Sequence, residues 1–227
     1  MRIAIIIPTL NEAALIGDTL RSLQPLRAAG HIVIVADGAS SDATCALAAP
    51  FADAVIVAPR GRAQQMNAGA AAARAQAYLF LHADTRLPEH AAAAIVAALE
   101  SGRHAWGRFD IKIDGESRLL PLVATLMNVR SRLTGIATGD QAMFVTHEAF
   151  AAAGGFPEWP LMEDIGLSRV LKKQSPPAAL RLRVTTAGRR WDAQGPLRTI
   201  VFMWWLRFLF FLGAKLERLA HRYAPIR

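Results

Sequence analysis

Four short apolar runs punctuate the first part of the chain, each followed by a segment with helical spacing. RIAIII, HIVIVA, DAVIVA and AYLFLH predict strands. NEAALIGDTLRSL, SSDATCALAAPF, GRAQQMNAGAAAARA and PEHAAAAIVAALESG predict the helices between and after them. Asn11 is expected to cap the first helix and Pro88 to sit in the first turn of the last. Strands that are apolar at every position, rather than at every second one, predict a parallel sheet covered on both faces. In such a sheet ligands bind beyond the carboxyl ends of the strands. That rule selects Pro8-Thr9-Leu10-Asn11-Glu12, Asp37-Gly38 and His82-Ala83-Asp84 before any chemistry is considered.

After about residue 105 the pattern changes. WGRFDIKID alternates and predicts a half-exposed strand; SRLLPLVATLMNVRSRL predicts an amphipathic helix. GDQAMFVT reads as a loop entering a strand, GGFPEWPLMEDIGLSRVLKK as a loop and helix, and AALRLRVTTAGRRW as a strand with basic residues behind it. Residues 199–213 then concentrate four of the ten Phe and two of the five Trp, interrupted by Arg207. Continued at helical spacing, Arg207, Lys215, Arg218 and Arg222 fall on one side, the pattern of an interfacial helix. A helix buried on the enzyme body or in a homodimer fits the same residues. The expected organisation is a catalytic domain over 1–194 and a hydrophobic, amphipathic helical appendage over 195–227.

Composition narrows the partners. Of the 227 residues, 53% are hydrophobic and 19% charged, which excludes a disordered chain. A net charge of +8 favours an anionic partner. Charge alone would allow nucleic acid, but no recognition motif accompanies it. The lone Cys45 excludes an internal disulfide and a cysteine-based zinc site, and fits a reducing cytoplasm. The opening MRIAIIIPTLNE is not read as a signal peptide, because its apolar run breaks at Pro8. No segment reaches the ~20 apolar residues of a spanning helix.

Candidate chemistry gathers at the selected strand ends. Asp37 can accept hydrogen bonds from a ribose or base, or simply close an Asx turn. Arg60 and Arg62 open a helix, where the dipole disfavours cations unless an anion lies nearby. Asp84 is a hard oxygen ligand suited to Mg²⁺ or Mn²⁺. His82, two residues earlier on an extended strand end, would face the same side. Gly154-Gly155 permit positive φ or close approach. Phe156 and Trp159 offer flat faces to a sugar ring. Glu163-Asp164 open a helix as caps or as catalytic carboxylates.

PTLNE, ADGASSDAT, HAD, GDQ, GGF and MED, in this order, make the chain resemble the family 2 glycosyltransferases of the GT-A fold, from Ile3 to about Trp191. RGRAQQMNAGA, LFLHADT and PLMEDIGLSRVL are similar, more narrowly, to a bacterial subgroup labelled arsenosugar-biosynthesis or diaponeurosporenoate-like glycosyltransferase. The resemblance implies an α/β fold with a mostly parallel central sheet. It implies that Asp37 binds the nucleoside of a nucleotide-diphosphate sugar, with Pro8, Leu10 and Glu12 lining the pocket and Arg62 near the base or diphosphate. Asp84 would hold Mg²⁺ or Mn²⁺; His82 stands where many relatives carry a first Asp, and Ala36 where many carry another. Gly155 and Phe156 would shape the acceptor side. Asp164 would be the general base with Glu163 beside it, and Arg190 and Trp191 would lie near the phosphates.

The expected activity is inverting transfer of the sugar to a hydroxyl or carboxyl acceptor, lipid-like if the last helix meets a membrane from the cytoplasmic side. A nucleotidyltransferase would want a glycine-rich phosphate loop after the first strand, which PTLNEA lacks. A non-catalytic, membrane-associated binding module is the other reading.

Overall fold

The computed structural model describes residues 1–223, the side chain of Arg190 excepted. The elements run β1 (Ile3–Thr9), α1 (Ala13–Ser22), α2 (Gln24–Ala28), β2 (Ile32–Asp37), α3 (Thr44–Ala48), β3 (Ala54–Val57), α4 (Arg62–Ala72), β4 (Ala77–Phe80), β5 (Thr85–Arg86) and α5 (Ala91–Glu100). The second half adds β6 (Trp106–Asp114), α6 (Leu120–Thr134), a 3₁₀ turn at Gly139–Gln141, β7 (Phe144–Thr146), α7 (His147–Ala152), α8 (Glu163–Gln174), β8 (Ala178–Ala187), α9 (Arg189–Gln194), α10 (Pro196–Phe211) and α11 (Leu216–Arg222).

The eight strands form one sheet in the order β3-β2-β1-β4-β7-β6-β8-β5. β1 pairs in parallel with both β2 and β4, and β2 with β3. This half is the parallel sheet that the apolar runs predict. Successive side chains of a strand point to opposite faces. Ile3, Ile5 and Ile7 therefore pack on one side with Ile16 and Leu20 of α1 and Ile95 of α5. Ala4 and Ile6 pack on the other with Ala63, Met66 and Ala70 of α4. Two covered faces explain why every position is apolar. Beyond β4 the sheet turns mixed: β7 runs antiparallel to β4 and β6, while β6 and β8 are parallel.

Several local expectations change. Asn11 is not a cap: it adopts φ 55° and Glu12 holds the cap position. Its Oδ1 instead accepts from Ser41 N–H at 2.8 Å, tying the β1 and β2 ends together. Pro88 lies before α5, because a turn from Pro88 C=O to Ala91 N–H and a left-handed His90 delay the helix. β6 is buried along most of its length, since α6 covers it through Leu120 and Val123, with Ile111 and Ile113 beneath.

The C-terminal cations do not share one helix side. Gly213, at φ +81°, ends α10, and Ala214 N–H bonds back to Leu209 C=O. The chain turns into a separate α11, and Arg207 points from α10 into the molecule. α10 and α11 pack through Leu206 and Leu219 against Leu161, Met162 and Ile165, the approach to α8. Among the described residues no helix is long and apolar enough to cross a membrane.

Candidate active site

The carboxyl ends of β1, β2 and β4 lie on one edge of the sheet, through the parallel registers of their pairs. Over this edge opens a cleft of about 940 Å³. That is large for a small-molecule site. One wall comes from the strand ends, with Pro8, Glu12, His82 and Asp84; another comes from the α8 entrance, with Glu163 and Asp164. α6 and α10 close the remaining sides. Asp84 and Asp164, eighty positions apart in the chain, thus line a single cavity.

β4 stops at Phe80, and residues 82–85 form a turn closed by Thr85 N–H to His82 C=O. His82 and Asp84 both line the cleft because of this turn, not as alternate residues of an extended strand. The Asp84 carboxylate accepts from Arg189 Nη2 at 3.0 Å, and the same nitrogen lies 3.4 Å from Glu12 Oε2. Burial, the first influence on Glu12, pushes its carboxyl up, with Arg189 opposing and Asp84 reinforcing.

A guanidinium already placed between these two carboxylates identifies a cation position. Among the described residues no group of three or more His, Cys, Asp or Glu could hold a metal. Mg²⁺ and Mn²⁺ sites of this kind use one or two carboxylates and complete their shell from substrate phosphates and water. Asp84, with Glu12 beside it, fits that pattern. His82 turns elsewhere: its Nδ1 lies 3.4 Å from Asp140 Oδ1, and its buried Nε2 has no partner among the described residues.

The 3₁₀ turn supplies the second half of the site. Gly139 N–H donates to Asp164 Oδ2 at 2.8 Å, and Ile165 N–H donates to Oδ1 at 2.7 Å. Both oxygens are therefore oriented by backbone donors. A Cβ at Gly139 would stand 2.6 Å from His82 Nε2, so only glycine lets the turn approach. Burial raises the Asp140 carboxyl, but its bond to His82 and the charge of Arg62 outweigh that and hold it low. Glu163 is only 4% exposed and faces Arg62 at 3.7 Å. Desolvation pushes its carboxyl up, with Asp164 adding to that and Arg62 opposing.

Of the residues named from sequence, Pro8, Glu12, Arg62, His82, Asp84, Glu163, Asp164 and Trp191 line the cleft, whereas Leu10, Asp37, Gly155 and Phe156 do not. Asp37 is 1% exposed and accepts from Thr9 Oγ1 at 3.0 Å and from Ser40 N–H at 2.7 Å. Burial acts to raise its carboxyl, yet Ser40 and Thr9 hold it low. The Asx-type turn is what these bonds build. Phe156 does not offer the sugar a flat face as expected: its ring is 3% exposed and 4.7 Å from Phe80 in an edge-on pair. Gly155, at φ +76°, serves the same corner, where a Cβ would meet Asn67 Oδ1 at 2.8 Å. Trp159 packs on Phe210 of α10 rather than offering a free face. The Arg190 side chain lies outside the described residues. Its neighbour Arg189 is the cation at Asp84. Arg130, Gly139, Asp140, Arg189 and Arg207 are the residues that sequence reasoning missed; GDQ and the charge interrupting the last apolar run were the available signals.

The sequence profile of Glycosyl transferase family 2 matches residues 4–152. No curated protein sequence matches the chain. Among solved structures, S. aureus TarS 1–349 in complex with UDP is similar at a TM-score of 0.67 and 16% identity, over 82% of this chain and 60% of that one. Mannosyltransferase PcManGT from Pyrobaculum calidifontis, in complex with GDP-Man and Mn²⁺, has a TM-score of 0.64 and 21% identity, over 100% of this chain and 66% of that one. Glucosyl-3-phosphoglycerate synthase from Mycobacterium tuberculosis, in complex with Mn²⁺, UDP and glucosyl-3-phosphoglycerate, has a TM-score of 0.64 and 20% identity, over 94% of this chain and 80% of that one. The chain spans about 60% of the TarS 1–349 chains it matches. With its fold shared by these three and roughly two thirds of its length under one profile, the chain belongs to glycosyl transferase family 2.

Proposed function

We propose that the protein transfers a sugar from a nucleotide-diphosphate donor to an acceptor hydroxyl, with inversion at the anomeric carbon. The observation that carries this reading is the shared cleft of Asp84 and Asp164. Asp84, with Glu12 at its side, holds the cation position where a donor diphosphate would sit; Arg189 adds positive charge on that wall, and Arg62, beside Glu163, adds it from the α8 wall. A divalent ion bound there would offset the negative charge that builds on the leaving diphosphate. The solved relatives bound to UDP, GDP-Man or Mn²⁺ support a donor and an ion of these classes.

Asp164 then acts as general base. Its two oriented oxygens leave lone pairs free for a proton. The acceptor oxygen bonds to the anomeric carbon as the bond from that carbon to the diphosphate oxygen breaks. The hydroxyl proton passes to Asp164, and the electron pair leaves with the nucleoside diphosphate. Glu163, paired with Arg62, keeps that cation aimed into the cleft. The narrower likeness to the arsenosugar or diaponeurosporenoate-like subgroup rests on its motif strings.

The surface around the mouth favours peripheral contact with the cytoplasmic face of a membrane over a homodimer. Leu133 of α6 is 82% exposed, and Trp204 and Phe211 of α10 are 65% and 63% exposed, all three also lining the cleft. Large exposed apolar patches mark interaction surfaces, and this one is continuous with the site. A calorimetric panel of UDP- and GDP-sugars, with and without Mn²⁺, tests the donor reading. Tight binding that needs Mn²⁺ and Asp84 is expected; absence of binding by every nucleotide would overturn it.

A further inference from the structure

Two arginines in the cleft have no task in the transfer chemistry described above. Arg130 of α6 buries Nε and Nη2, and Arg207 of α10 buries Nε, all without a hydrogen-bond partner among the described residues. Both side chains line the same cavity as Asp164. Burial, and then the charge of Arg207, pull the Arg130 guanidinium down to a pKa of about 10. Buried polar groups in native proteins are almost always satisfied, so each exception calls for a missing partner.

The cleft's own carboxylates bond to other groups, and Asp164 and Asp140 reach the two arginines only through their charge. Asp84 faces Arg189, Glu163 faces Arg62, Asp140 faces His82, and Asp164 accepts from two backbone N–H groups. A guanidinium only donates. The missing partner is therefore an acceptor, and two adjacent positive charges demand that it be an anion. Planar guanidinium forks match carboxylate and phosphate oxygens. Around the pair the wall is apolar: Leu126 and Leu133 from α6, and Met203, Trp204, Phe208 and Phe211 from α10. A free inorganic anion would leave this wall bare.

We propose that Arg130 and Arg207 hold an oxyanion on the head of the acceptor, whose apolar chain runs outward between α6 and α10. The acceptor is thus an anionic single-chain amphiphile that also presents a hydroxyl to Asp164, a substrate class that rests on the transferase reading. The anchoring oxyanion keeps its charge throughout, and only the hydroxyl loses a proton.

The test uses the full chain and decyl phosphate below its micellar concentration, with decanol and inorganic phosphate as the two half-ligands. Calorimetry should show decyl phosphate binding roughly tenfold tighter than either, the size of one lost charged hydrogen bond. Arg130→Gln and Arg207→Gln should each forfeit most of that gain, and Arg130→Lys should restore part of it, with circular dichroism checking the fold. Decanol binding as tightly as decyl phosphate would overturn the anion subsite, as would glutamine variants indistinguishable from wild type. Inorganic phosphate binding as tightly as decyl phosphate would overturn the apolar chain. The comparison of three ligands on the wild-type chain stands even where a variant misfolds. UDP and GDP binding to the wild-type protein, with Mn²⁺, is read separately. Its failure removes the transferase reading without deciding the anion result.

Discussion

Replacing Arg130 by methionine should stabilise the ligand-free protein. The substitution keeps an unbranched, shorter side chain and removes a cation whose Nε and Nη2 are buried without partners among the described residues. The fall of its pKa from the ordinary guanidinium value to about 10 measures how much less tightly the folded protein holds that proton. At about 1.4 kcal/mol per tenfold in proton affinity, this amounts to roughly 3 kcal/mol. Partial solvent access at the residue reduces the net gain to about 1–3 kcal/mol. The sign follows from linkage. A base with a depressed folded pKa carries its full cost below about pH 10, and that cost is relieved as the pH climbs above about 10. Arg130→Met removes the cost at every pH. Urea unfolding followed by tryptophan fluorescence at pH 7.5 should give a higher midpoint with an unchanged slope. The melting temperature should rise by roughly 2–12 °C for a chain of this size. Above about pH 10 the advantage over wild type should shrink. A variant less stable than wild type at pH 7.5 would refute the claim that burial and Arg207 outweigh the opposing charges of Asp164 and Asp140 at this arginine.

Gly139→Ala should lower stability by about 1–3 kcal/mol, the range for forcing extra volume into a packed site, because the new Cβ meets His82 at 2.6 Å. It should also slow turnover, since Gly139 N–H orients Asp164; chemical denaturation and nucleotide release read the two effects. Asp84→Ala should weaken UDP or GDP binding in Mn²⁺ by roughly tenfold or more, about 1.4 kcal/mol, and leave binding without the ion unchanged; equal affinities with and without Mn²⁺ for both proteins would remove the assignment. Val201→Glu, at a position 67% exposed on α10, should reduce co-sedimentation with anionic vesicles while shifting stability by less than about 0.5 kcal/mol. Unchanged sedimentation, or loss of a dimer in light scattering instead, would move that face to a protein interface.

The first half of the fold was legible because its strands are buried on both faces, so the apolar runs left little choice. β2 ends at Asp37, β1 runs one residue past Pro8 to Thr9, β4 stops two residues short of His82, and the cleft lies at these ends. The second half was less legible because its contacts are long-range. β6 looked half-exposed by alternation, yet α6 covers it. Phe156 looked like a sugar platform because its ring is aromatic and follows two glycines; only tertiary packing against Phe80 and Phe150 decides otherwise. Arg189 and Arg190 are indistinguishable in sequence, and the placement of α9 selects Arg189 for Asp84. Arg207 was visible as a charge in an apolar run. Helical spacing carried past Gly213 puts the following cations on the same side, but the break at Gly213 turns them onto another helix.

In the proposed mechanism Asp164 acts as base on an acceptor while Asp84 serves the donor across the same cleft. Asp164→Asn tests it most directly, because the change removes the proton acceptor and little else. Donor affinity by calorimetry should stay within about threefold of wild type, while release of nucleoside diphosphate from the bound donor should fall by roughly 10²–10⁴-fold. A variant that binds donor and turns it over at the wild-type rate would contradict the account.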